Sequence, residues 1–63
     1  MRFSGTSNNG NFEEALGYAI KAAADGFGGA DRIINWHLLF VSGVSGGITG
    51  QNDLTVEIFA TAA

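Results

Sequence analysis

The 63-residue chain has no cysteine, no proline, a single histidine (His37) and a single tryptophan (Trp36). Each shortage removes a way of building or using a small fold. Without cysteine there is neither a disulfide staple nor a thiolate metal site. A lone imidazole cannot assemble a zinc centre. No proline pre-orders the loops. A domain this short draws only marginal stability from its own core and usually leans on staples, a metal or association. Association with further copies is the device left.

Charge is scarce as well. Asp, Glu, Lys and Arg make up 14% of the residues, against roughly 25% in an ordinary globular domain. Hydrophobic residues make up 46%. A monomer of this composition would expose large apolar patches, so a closed, symmetric homo-oligomer is expected. Six acidic and three basic residues give a net charge of −3. Arg2, Lys21 and Arg32 are scattered, so no basic stripe forms to neutralise phosphates. Neither nucleic acid nor an anionic membrane surface is expected as a partner. Met1-Arg2-Phe3-Ser4-Gly5 has no long apolar run after its basic residue and does not read as a signal peptide. The densest apolar stretch, Ile33 to Val41, is too short to cross a bilayer as a helix. The default expectation is a cytoplasmic protein.

The punctuation of the chain predicts one domain over residues 1–63, of α+β class. A short strand is expected over Met1–Ser4, then a polar loop from Gly5 to Gly10. Asn11 is a good N-cap, because its side-chain oxygen can accept from a free amide of the first turn. Glu14, three residues on, suits a capping box, and Glu13 and Glu14 both suit the positive end of the helix dipole. Phe12, Ala15, Leu16, Ala19, Ile20, Ala23 and Phe27 recur at helical spacing. Gly26 is the expected left-handed stop after Asp25. Gly28-Gly29-Ala30 then reads as a connector.

From Arg32 to Val41 the period changes to that of a strand. Simple alternation puts Ile34, Trp36, Leu38 and Phe40 on one face and Ile33, Asn35, His37, Leu39 and Val41 on the other. Both faces are mostly apolar. One is expected to cover the helix and the other to need a different partner. Gly46-Gly47 predicts a two-residue hairpin turn, with Val44 and Ile48 extending the strands. In the last strand, Leu54 to Thr61, Leu54, Val56, Ile58 and Ala60 alternate with Thr55, Glu57, Phe59 and Thr61. The order is β-α-β-β, one helix packed on a three-stranded antiparallel sheet.

Most residues with chemical potential have plainer readings. His37 lacks partners for base or metal chemistry and reads as a hydrogen-bonded structural histidine. A Ser42-His37-Asp53 set can be written down, but nothing in the spacing orients it. The glycine-rich run from Ser42 to Gly47 is followed by a strand, whereas a phosphate cradle precedes a helix. Glu13 and Glu14 are helix-start charges. Asp53 and Glu57 lack the spacing of a calcium loop. No metal ligands and no catalytic residues are assigned.

Three features together resemble the dodecin family: Phe3-Ser4-Gly5-Thr6-Ser7, the alanine-rich helix opening on Asn11-Phe12-Glu13-Glu14-Ala15, and Trp36 early in the long strand. The resemblance implies a hollow dodecamer whose sheets curl around the helices. It also implies flavins stacked at subunit contacts. Trp36 matches the tryptophan that stacks on the isoalloxazine in that family, so FMN or riboflavin is the implied cofactor and small planar ligand. A last-strand glutamine normally hydrogen-bonds the flavin ring, and the candidates for that position are Gln51, Asp53 and Thr55. The sequence departs from the family where Leu38, Leu39 and Phe40 replace charged strand residues. The implied function is flavin binding for storage or buffering rather than catalysis. The alternative is a structural or interaction module of the same fold that binds no flavin.

Overall fold

A computed structural model describes residues 1–29, 31–48 and 50–63. Ala30 of the expected connector and Thr49 of the glycine-rich stretch lie outside the described residues. The element order is β1 (Arg2–Ser7), α1 (Phe12–Gly26), β2 (Ile34–Gly46) and β3 (Gln51–Ala62). The sheet runs β1-β3-β2, and β3 pairs antiparallel with both neighbours. This is the expected α+β arrangement, with the last strand in the middle.

The helix begins where the sequence places it. Asn11 Oδ1 accepts from the Glu14 amide at 3.0 Å. The other half of the capping box is replaced. Glu14 turns its carboxylate to the Ser7 hydroxyl at 2.8 Å, and the Asn11 amide donates to Ser7 Oγ at 3.1 Å. Ser7 Oγ also accepts from the Asn9 amide at 3.2 Å. This buried hydroxyl thus ties the end of β1, the loop and the first helical turn together.

At the other end the stop falls later than expected. Gly26 is helical, and Gly28, at φ +103°, takes the left-handed position. The Gly29 amide reaches Ala24 O at 2.8 Å and the Gly28 amide reaches Asp25 O at 3.4 Å, the bond pair of a Schellman cap. Phe27 is the reason for the extension. Its ring meets Phe3 edge-on at 5.5 Å, and a Cβ on Gly26 would collide with that same Phe3 ring.

Val56, Ile58 and Ala60 of β3, which alternation groups on one side, are fully buried against Ala15, Ala19 and Ala23 of α1, so the even positions of β3 face the helix. The helix comes close to the sheet at Gly5. A Cβ there would lie 2.5 Å from the Ala19 amide nitrogen, and nearer still to the Ala15 carbonyl oxygen. Glycine on the strand and alanine on the helix draw α1 over β1 and β3. From β2, Ile34 packs against this cluster. The expectation that one face of β2 covers the helix is therefore corrected, because beyond Ile34 the strand lies beside the helix rather than beneath it.

β2 departs from simple alternation as well. Leu38 pairs with Ile58, but Phe40 pairs with Glu57, leaving Leu39 as a bulge. Directly opposed residues share a face. Trp36, opposite Ala60, and Leu38 lie on the helix side, whereas Phe40 moves to the outer face with Glu57, and Val41, opposite Val56, takes the helix side. The strands extend to the Gly46↔Gln51 pair, and the turn is longer than two residues: the Gly50 amide bonds to Gly47 O at 3.2 Å. Val44 is in the ladder, but Ile48 belongs to the turn.

Candidate functional site: an open tryptophan platform

Trp36 lies opposite Ala60 on the helix side of β2, with Ile34 and Leu38 two positions away on either side. Ala60 is the smallest neighbour that a cross-strand pair with a Cβ can provide, and it leaves the indole 40% exposed. No cavity is enclosed among the described residues. Within one protomer the indole is therefore only partly covered. A flat aromatic ligand could stack on it, but a second wall must come from another molecule.

The polar candidates lie elsewhere. Gln51 is opposite Gly46, at the turn end of β3, and its Nε2 donates to Asp53 Oδ2 at 2.9 Å. Ala60 and Gln51 are nine positions apart on β3, roughly 30 Å at strand rise. Gln51, Asp53 and Thr55 all occupy the outer face, and Thr55 is hydrogen-bonded to Thr6 Oγ1 at 3.0 Å. One protomer does not bring any of these residues to the indole of its own Trp36.

His37 points to the outer face, where its ring sits 5.6 Å from Phe59 at a 32° tilt. Ser42 pairs with Thr55, four positions along β3 from Phe59, about 13 Å away. That separation rules out a Ser42-His37 hydrogen bond in this chain. No group of three or more His, Asp or Glu side chains gathers among the described residues. Glu57 has one oxygen 3.6 Å from Arg2 Nη1, too long for a hydrogen bond, and that oxygen is shielded from water without a hydrogen-bond partner among the described residues. The Arg2 side chain is 72% exposed, so the pair contributes little to stability.

No family model, curated protein or solved structure matches the chain. The reading of the site therefore rests on its own geometry and on the residue pattern given above. No helix among the described residues is long and apolar enough to cross a membrane.

The bulge is the feature of this site that sequence reasoning missed. Alternation across a strand that is apolar on both faces gives no penalty for an inserted residue, so Leu39 carried no signal. The bulge leaves Trp36, Leu38 and Val41 together on the helix side and removes Phe40 from that set.

Proposed function

We propose that the chain is the protomer of a dodecin-like homo-oligomer that binds riboflavin or FMN for storage or buffering, stacking the isoalloxazine on Trp36 at a subunit contact. The observation that carries this reading is the partly exposed indole beside Ala60 on the helix side of the sheet. The resemblance at Phe3–Ser7, at Asn11–Ala15 and at Trp36 supports it. A second copy supplies the missing wall, and symmetry pairs one platform with another. Any polar contact from Gln51 comes from a neighbouring copy, since its own protomer holds it far from Trp36. The function is sequestration, without a catalytic step, in a cytoplasmic setting.

The position of Gln51 favours a second reading, an assembly of the same fold in which Trp36 only packs subunits together and no flavin binds. Titrating riboflavin and FMN into the wild type and Trp36→Ala separates the two. Flavin binding predicts quenched flavin emission with the wild type and none with an assembled Trp36→Ala. Unchanged emission with assembled wild-type protein at high micromolar concentration supports the packing reading.

A further inference from the structure

The two edges of the sheet are defended differently. β1 is six residues long and carries Arg2. β2 is thirteen residues long and contains no Asp, Glu, Lys or Arg, and the chain has no proline to interrupt it. One side of β2 is bonded to β3; its other side has no strand in the sheet. Long, uncharged, apolar edges are templates for pairing with another chain. The bulge at Leu39 interrupts the ladder once, leaving Phe40–Gly46 as an unbroken run.

The protomer also has the shape of an unfinished assembly. Its radius of gyration is 12.8 Å, against about 10.6 Å for a compact chain of this length. Its accessible surface is 4151 Å², against roughly 3,800 Å² for a monomer of this mass. The excess comes from a projecting arm. β1 stops opposite Leu54, so Val44–Gly46 and Gln51–Asp53 form a two-stranded ribbon with no third strand. Such a ribbon alone is marginal in water.

The geometry points to a second copy of this chain as the occupant of the β2 edge, with the two β2 strands antiparallel about a two-fold axis within Phe40–Gly46. This deepens, and rests on, the self-association in the proposed function, and it is independent of flavin. A strand without formal charge meets its own copy without like-charge repulsion, which is the self-complementarity an isologous contact requires. Phe40 is 50% exposed, Val44 55% and Val41 42%. A contact of this kind draws on main-chain hydrogen bonds along the run, with these side chains flanking it on both faces of the sheet. The result is a continuous six-stranded sheet with both helices on one face.

Cysteine cross-linking tests this directly, because the chain has no thiol of its own. Single variants Phe40→Cys, Val41→Cys, Ser42→Cys, Val44→Cys and Ser45→Cys are oxidised mildly, alone and in mixed pairs. Opposed residues in an antiparallel pair lie about 4.5–5.5 Å apart, within disulfide reach. The expected result is a cross-linked dimer from one position with itself, or from two same-face positions on either side of the axis. Yield should fall off along the strand. Sedimentation of each reduced variant checks its assembly. Assembled variants with no β2 cross-link overturn this edge while leaving self-association intact. A folded monomer at micromolar concentration overturns both, and association only with a different protein overturns the choice of a second copy.

Discussion

The same substitution, glycine to alanine, should have opposite effects at Gly5 and Gly17. At Gly5 the added methyl would sit 2.5 Å from the Ala19 amide nitrogen and 2.8 Å from Tyr18 Cβ. These are atoms of the helix body, so no side-chain rotation relieves them. Ordinary contact begins near 3.4 Å, so α1 must lift by roughly 1 Å, loosening Ala15, Ala19 and Ala23 from Val56 and Ile58. Overpacking of this kind costs about 1–3 kcal/mol, and backbone collisions put Gly5→Ala at the upper end. A 63-residue domain has on the order of 3–9 kcal/mol in total, so the loss should lower Tm by more than 10 °C, given about 4–8 °C per kcal/mol. At Gly17, in the middle of α1, a methyl meets nothing within 4 Å. There alanine should stabilise by about 0.8–1 kcal/mol through helix propensity alone. Thermal melts followed by circular dichroism at several protein concentrations give both values. If Gly5→Ala melts within a few degrees of the wild type, the close approach of helix and strand is wrong. If Gly17→Ala destabilises, that helix face is covered in the assembly.

Asn11→Ala should cost about 1 kcal/mol through the lost cap, seen as a drop in Tm that depends on protein concentration where folding and assembly are coupled. An unchanged melt would place the helix start elsewhere. Ser7→Ala removes the buried hydroxyl that accepts from the Asn9 and Asn11 amides, and should cost about 1–3 kcal/mol. Glu14→Gln keeps an acceptor for Ser7 and should cost less, and equal losses in urea melts would contradict the hub assigned to Ser7. Trp36→Ala should abolish flavin quenching while leaving the sedimenting mass unchanged.

The fold was legible where one side of an element is buried and the other is wet. β3 alternates cleanly from Leu54 to Ala60, so the grouping of its residues by face followed from the residue pattern. Asn11 was legible because capping is local chemistry. Gly26 was misread because the stop depends on Phe27 reaching Phe3, a tertiary contact between residues 24 positions apart in sequence. The covering of β2 was misread for a similar reason: Gly5 sets where the helix lies, and no pattern within β2 reports it. Trp36 was singled out as a candidate by its match to the dodecin pattern and by the apolar strand residues around it. Its separation from Gln51 depends on pairing register, which the glycine-rich turn leaves open in the sequence.

Native mass spectrometry of the wild-type protein, with and without added FMN, tests the central claim most directly, because one spectrum reports both copy number and bound ligand. The account predicts a high-order homo-oligomer, a dodecamer from the family resemblance, that gains flavin mass, with the gain lost in Trp36→Ala. A folded monomer that carries no flavin at micromolar concentration would contradict it.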